Sequence, residues 1–150
     1  MLFRSEELGI VRDYIGLEII RFEDRLRTEF DIGPESLDFK VPPLMIQTLV
    51  ENGIKHGISR LKEGGMIQLK TRVSGERLNI QIRNSGQYLN EVRRTTGGLG
   101  LENTRQRLRL IYGDEATFSI RTENDNFVLT EIEIPYVNSP QGAVPLTNYP

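Results

Sequence analysis

The chain has 150 residues, 37% hydrophobic and 27% charged, with a net charge of −2, which suits one soluble domain with a real core. Its charges are interspersed, which excludes the basic stripe of a nucleic-acid binder, and the absence of cysteine together with a single histidine excludes disulfides and Cys- or His-based metal clusters. No apolar run approaches the roughly 20 residues that span a bilayer and no signal peptide is evident, so a cytoplasmic domain without direct membrane contact is expected, whether or not the full-length protein is anchored in the inner membrane.

The first part of the chain predicts two helices with a strand between them. Apolar residues spaced by three or four predict an amphipathic helix over residues 5–27, with the stripe Leu8, Val11, Ile15, Ile19, Phe22 and Leu26. Ser5 and Glu7 are expected to satisfy the free N–H groups at its own start. Residues 28–35 predict a short strand and a turn. A second helix is predicted from Pro43 to Gly57, because proline suits a first helical position and glycine a helix end.

The second part changes to the period of strands and then returns to a helix. Residues 67–82 alternate apolar and polar side chains around a glycine turn, which predicts an antiparallel hairpin with one buried face. A long polar loop (84–98) precedes a predicted helix (99–112), and residues 116–136 predict another hairpin. The Pro- and Gly-rich residues 137–150 predict a disordered tail.

This order of elements favours an α+β fold. We expect a two-layer sandwich, in which a mostly antiparallel sheet carries helices on one face and meets solvent on the other. One domain covering residues 1–136 is expected.

The segment LVENGIKHG (49–57) gathers polar groups on the second predicted helix. Thr48, Asn52 and either Lys55 or His56 are three or four residues apart, so they share a helical face. An amide oxygen can bind Mg²⁺ that is otherwise held by phosphate and water, and the two basic side chains could offset phosphate charge. Taken alone, the segment is better explained as a solvated helix face.

Two further segments carry weak signals of the same kind. The glycines of TTGGLGL, just before a helix, would let backbone N–H groups approach an anion, although the P-loop and Rossmann patterns are absent. Asn84-Ser85-Gly86 ends a strand and is typical of a turn. The alternative is a polar side chain that binds a base edge, with Gly86 leaving room for a flat ring.

The order and spacing of these segments are specific. VPPLMIQTLVENGIKHG, IRNSG and GGLGLENTRQRLRLIYG resemble the N, G1 and G2 boxes of the ATP-binding domain of sensor histidine kinases, with the closest match to the LytS-type branch. The resemblance covers residues 5–136 and implies a Bergerat-type (GHKL) fold that binds ATP and Mg²⁺. In this fold a layer of helices lies on a mixed, largely antiparallel sheet. The resemblance implies that Asn52 binds Mg²⁺ and that Asn52 and Lys55 are catalytic. It places Lys55 and His56 near the phosphates, and Asn84 and Gly86 at adenine. Gly98 and Gly100 would lie beside the phosphates, under a lid of residues 85–98.

Three residues depart from the patterns of this superfamily. The aspartate that accepts from the adenine amino group is Asn84 here, so weaker adenine binding is expected. Thr96 stands in place of the first glycine of the G2 box, so the geometry of the lid is expected to differ. The hydrolytic members carry a general-base glutamate where this chain has Thr48, and Glu51 lies about 100° away from Asn52 around the helix, so slow or absent ATP hydrolysis is expected.

The resemblance implies a protein-histidine kinase. The γ-phosphoryl group of ATP would pass to a histidine on an upstream dimerisation segment of a homodimer that serves a response regulator, because the chain's one histidine, His56, lies inside the N box. Two alternatives remain open from the residues. One is a degenerate, non-catalytic interaction module of the same fold, and the other is a serine kinase of the anti-sigma-factor type.

Overall fold

Three helices and a five-stranded sheet make up most of the described part of the chain. The computed structural model describes residues 2–58, 61–86, 98–124 and 126–136, so the predicted tail and most of the predicted lid lie outside the described residues. The elements are β1 (Leu2–Phe3), α1 (Arg4–Phe22), β2 (Leu26–Ile32), β3 (Lys40–Val41), α2 (Met45–His56), β4 (Gly65–Ser74), β5 (Arg77–Ser85), α3 (Gly98–Tyr112), β6 (Thr117–Glu123) and β7 (Phe127–Pro135).

The sheet is mixed, as the sequence predicts. Its strand order is β2-β4-β5-β7-β6, with β2 parallel to β4 and every other neighbouring pair antiparallel. Both predicted hairpins are confirmed, and β5 lies at the centre, where Ile80 pairs with Thr71 on one side and Ile132 on the other. β1 and β3 form a separate antiparallel pair. The predicted α+β fold class is confirmed.

The two faces of the sheet differ in polarity because side chains alternate along each strand. On β5, Leu78, Ile80 and Ile82 point into the core, where each is at most 1% exposed. The alternate residues form a polar layer with neighbouring strands through Arg77–Glu133, Asn79–Glu131, Gln81–Glu131 and Arg83–Glu123. All three helices contribute side chains to the core cluster, so they cover the apolar face of the sheet.

The predicted boundary between the first helix and the first strand is wrong. α1 ends at Phe22, a short 3₁₀ turn follows, and Leu26 opens β2. Leu26 is buried as the apolar stripe predicts, but it lies on a strand, since burial alone does not distinguish the last turn of a helix from the first residue of a strand. Ile19, also placed in the stripe, is 38% exposed.

The predicted start of the second helix is also wrong, by two residues. α2 begins at Met45, and a turn precedes it in which the Met45 N–H donates to the Pro42 carbonyl over 3.3 Å. Leu44 adopts a left-handed conformation with φ of 63°. The predicted end is confirmed, since the last helical residue is His56 and Gly57 follows.

Candidate functional site

The polar side chains of Asn52, Lys55 and His56 lie along one side of α2, and the apolar side anchors the helix in the core. Asn52 and His56 are partly exposed and Lys55 is exposed. Five apolar residues of α2, each at most 2% exposed, lie in the core: Met45, Ile46, Leu49, Val50 and Ile54. The basic residues fall in the last helical turn, where the helix dipole favours positive charge. α2 is therefore a rigid support for a polar surface.

Asn84 continues the inward-facing series of β5 and ends it with an amide. It is 3% exposed, and its Nδ2 donates to the Ser85 carbonyl over 3.0 Å. Its side chain packs against α2 where that helix has Gly53, and a Cβ built at Gly53 would lie 2.9 Å from Asn84 Oδ1. The period of two that places Ile82 in the core also predicts this inward orientation of Asn84.

The end of β5 and the end of α2 meet through two glycines. Gly86 has φ of 127°, a conformation that favours glycine, and a Cβ there would lie 3.0 Å from Gly57 Cα. The Gly86 N–H donates to the Asn126 carbonyl over 2.9 Å, which ties this point to the turn between β6 and β7. The G1 segment is thus held directly against the last turn of the N-box helix.

The start of α3 lies on another part of α2. Gly98 is the first residue of α3, and a Cβ built at Gly100 would lie 3.6 Å from Thr48 Cγ2. Further along α3, Arg107 Nη1 donates to the Pro43 carbonyl over 3.0 Å, immediately before α2. Two segments that are far apart in sequence, the end of β5 and the start of α3, therefore converge on α2.

The convergence places most of the predicted site residues on neighbouring elements. Asn52, Lys55 and His56 lie on α2, while Asn84 and Gly86 lie at the end of β5. Gly98 and Gly100 lie in the first turn of α3. Thr96 and residues 87–97 of the predicted lid lie outside the described residues. The roles assigned to the described residues stay predictions.

The side-chain oxygen atoms on these elements suit a metal ion that is bound mainly by the phosphates of a nucleotide. Within the ranges that the structure covers, no three His, Cys, Asp or Glu side chains are grouped so as to hold a metal ion. Mg²⁺ is commonly bound by one or two protein oxygens, with phosphates and water supplying the rest. The Asn52 amide oxygen suits such a contact, and the N-terminus of α3 suits an anion.

Glu51 lies on the side of α2 that faces α1. Burial, followed by the negative charges of Glu18 and Glu51, raises the pKa of Tyr14 on α1 to about 12. The negative charge of Glu51 therefore acts on α1 across the contact between the two helices. That Glu51 is a poor general base for water activation stays a prediction.

Tyr14 should make the fold less stable at alkaline pH. Its pKa is 10.0 in the unfolded reference and about 12 in the fold, so the native state holds its proton more tightly. The contribution to stability is complete below pH 10 and is lost as the pH rises towards 12. Tyr14→Phe should flatten this part of the curve, measured by urea unfolding at a series of alkaline pH values. A variant with an unchanged slope would contradict the assignment.

One functional contact was missed by the sequence analysis. Glu7 is 0% exposed, and its carboxylate accepts N–H groups at the start of α2 instead of capping its own helix. The expectation that Ser5 and Glu7 cap α1 is therefore wrong for Glu7. A signal was available, because Glu7 lies one helical turn before Val11 on the apolar stripe, and a buried charge requires partners.

Known relatives align with most of the chain. The sensor protein LytS of Enterococcus faecalis is 34% identical over 142 residues, which is 87% of this chain and 24% of LytS. The sensor histidine kinase BtsS of Escherichia coli is 31% identical over 133 residues, covering 88% of this chain and 23% of BtsS.

The chain is homologous to part of the LytS-type sensor histidine kinases. The domain spans about a quarter of the length of these relatives. No protein-family model matches it.

Solved structures share the fold. The catalytic domain of histidine kinase ThkA superposes with a TM-score of 0.70 at 20% identity, over 95% of this chain and 100% of that domain. ThkA in complex with the response regulator protein TrrA gives 0.64 at 17% identity, over 91% of this chain and 41% of that one. Full-length ShkA in complex with AMPPNP gives 0.60 at 17% identity, over 92% of this chain and 31% of ShkA.

Proposed function

We propose that this domain binds ATP with Mg²⁺ and transfers the γ-phosphoryl group to a histidine of a partner segment, as a protein-histidine kinase. The observation that carries the proposal is the convergence on α2 of the end of β5 and the glycine-containing start of α3. The names of the relatives support it, and so does ShkA, which was solved with an ATP analogue.

The residues around α2 supply positioning and charge, which account for most catalysis of phosphoryl transfer. The Asn52 amide oxygen would hold Mg²⁺, and the bound ion supplies positive charge to the phosphates. Lys55 and His56 offset the remaining negative charge. Backbone N–H groups at the start of α3, near Gly98 and Gly100, face an anion favourably.

The residues proposed to bind adenine lie at the end of β5. Asn84 offers an amide oxygen as acceptor for the exocyclic amino group, and Gly86 adds no side chain beside the ring. Because the acceptor is neutral, the contact is weaker than one to a carboxylate.

The proposed acceptor is a histidine on the dimerisation segment of a homodimeric full-length kinase. The P–O bond to the ADP leaving group breaks as a P–N bond to the imidazole forms. A response regulator then receives the phosphoryl group, a proposal supported by the ThkA complex with its response regulator.

We place this activity in the cytoplasm, where ATP is available. None of the helices in the described ranges combines the length and the apolar character that crossing a bilayer requires.

A calorimetric titration with a non-hydrolysable ATP analogue tests the proposal. Saturable binding that weakens when Mg²⁺ is chelated is expected, and no binding at millimolar nucleotide would favour a non-catalytic module. Incubation with ATP and the histidine-bearing segment of a LytS-type relative should then give an acid-labile phosphorylated product. An acid-stable product would indicate a serine kinase instead.

Restoring the carboxylate at position 84 should change binding and stability in opposite directions. Asn84→Asp should tighten binding of the ATP analogue about fivefold, since a charged acceptor adds about 1 kcal/mol to the adenine contact. It should also lower the free energy of unfolding, because the donor to the Ser85 carbonyl is lost. Titration and urea unfolding measure the two effects. Asn79→Asp, on the opposite face of the sheet, should leave nucleotide affinity unchanged, and an equal gain there would contradict the assignment.

A further inference from the structure

The N-terminus of α2 has no cap of its own. The first N–H groups of any helix lack partners within the helix and need an acceptor from elsewhere. Leu44, which precedes α2, has an apolar side chain that accepts no hydrogen bond, and its φ of 63° is unusual for such a residue. The helix that carries Asn52 therefore begins at a strained turn that requires an outside acceptor.

The acceptor is the carboxylate of Glu7 on α1. Its Oε2 accepts the Leu44 N–H over 3.0 Å, and its Oε1 accepts the N–H groups of Ile46 over 3.0 Å and Gln47 over 3.3 Å. The side chain is fully buried, so these bonds form away from water. Hydrogen bonds to a charged acceptor are stronger than neutral ones, and a negative charge is favoured at a helix N-terminus.

The turn that precedes α2 is also hydrogen-bonded to α3. Arg107 Nη1 donates to the Pro43 carbonyl, next to the residue whose N–H binds Glu7. The Thr48 hydroxyl donates to the Leu44 carbonyl over 2.7 Å, and Thr48 is also the residue nearest to Gly100. One short turn thus links α1, the start of α2 and the helix that carries the G2 glycines.

We propose that Glu7 is a positioning residue through which α1 sets the placement of α2 and thereby of Asn52. Asn52 lies seven residues after Met45, about 10 Å further along the helix axis. A shift of α1 changes the distance between the Glu7 carboxylate and the α2 N–H groups. Because the backbone hydrogen bonds of α2 join its turns, a displacement of its first turn is passed along the helix to Asn52. The expected effect on nucleotide affinity rests on the proposed function. The expected effect on the placement of Asn52 does not, because it can be measured in the protein without nucleotide.

Glu7→Gln tests the inference with almost no change of volume. The amide keeps one acceptor oxygen, loses the charge, and directs an NH₂ group towards backbone N–H groups. We expect shifted NMR signals for the Asn52 side-chain amide and faster hydrogen exchange at Ile46 and Gln47 in the nucleotide-free protein. The Kd for the Mg²⁺-bound ATP analogue should rise about tenfold, a usual size for coupling between sites, at a temperature where circular dichroism shows a fully folded variant.

Glu6→Gln is the matched control, because it removes the same charge from an exposed neighbour on α1. It should leave the Asn52 signals and the Kd at their wild-type values. If Glu7→Gln does not fold, Glu7→Asp retains the charge on a shorter side chain and should give the same changes at smaller size.

The inference and the proposed function can fail separately. A Glu7→Gln protein with a lower unfolding temperature but wild-type Asn52 signals and Kd would show a purely structural role and overturn the inference. If the wild-type protein binds no nucleotide, the proposed function fails, and the Asn52 signals alone decide whether Glu7 positions α2.

Discussion

Asn52→Ala should remove the contribution of Mg²⁺ to nucleotide binding. Asn52 carries an amide oxygen that suits a hard cation, and its partly exposed side chain leaves it accessible. Because the described ranges group no three acidic or histidine side chains as a metal site, no protein cage replaces the lost ligand. We expect the Kd for the Mg²⁺-bound ATP analogue to rise about 100-fold, equivalent to about 2.7 kcal/mol.

The measurement compares titrations with Mg²⁺ and with a chelator. Wild-type affinity should fall when Mg²⁺ is removed, while the affinity of Asn52→Ala should be the same under both conditions and close to the chelated wild type. Asn79→Ala is the control, since it removes an amide from the polar face of the sheet, where Asn79 binds Glu131. If Asn52→Ala kept the full effect of Mg²⁺, another residue would hold the metal.

Much of the fold could be predicted from the sequence because one face of its sheet is polar and the other is buried. Alternation along residues 67–82 identifies the β4–β5 hairpin, since the inward side chains are apolar except for Thr71 and the outward ones are polar. The parallel pairing of β2 with β4 could not be predicted in this way. Leu26 pairs with Gly65, which lies 39 positions further along the chain, and no local periodicity encodes such a partner.

The site could be predicted in part, because its segments are short and carry unusual residues. LVENGIKHG, NSG and GGLGL place Asn52, Asn84 and Gly100 on elements that the structure brings together. The place of Glu7 on the apolar stripe indicates that its side chain is buried, but its partners on α2 could not be predicted. The contact joins residues 37–40 positions apart, and its backbone donors look like any others in the sequence.

The two ends of α2 are held by different contacts, and both contacts affect the geometry of the site. At the start, the charged carboxylate of Glu7 holds the N–H groups of the first turn. At the end, Gly53 and Gly57 allow β5 to approach so closely that Asn84 lies against the helix. The position of Asn52 relative to Asn84, and thus of a metal relative to adenine, depends on both.

Gly57→Ala should destabilise the fold by about 2–3 kcal/mol, the usual cost of overpacking a tight contact. The φ of Gly57 is −111°, which alanine adopts without strain, so the cost comes from contacts alone. A Cβ at this position would lie 2.7 Å from the Gly53 carbonyl oxygen and 2.8 Å from that of Ser85, and still closer to the Asn84 amide nitrogen. Two of these atoms belong to the backbone and have no alternative rotamer.

Relief of these contacts requires the end of α2 to move away from β5, which separates Asn52 from Asn84. Gly57→Ala should therefore weaken nucleotide binding in the fraction that remains folded, besides lowering the urea midpoint. Gly16→Ala, on the exposed side of α1 with no atom within 4 Å of its new Cβ, should instead stabilise by roughly 1 kcal/mol through helix propensity. Equal urea midpoints for Gly57→Ala and the wild type would show that α2 and β5 are not in this contact, because an added methyl group cannot occupy the space between two carbonyl oxygens without displacing one of the chains.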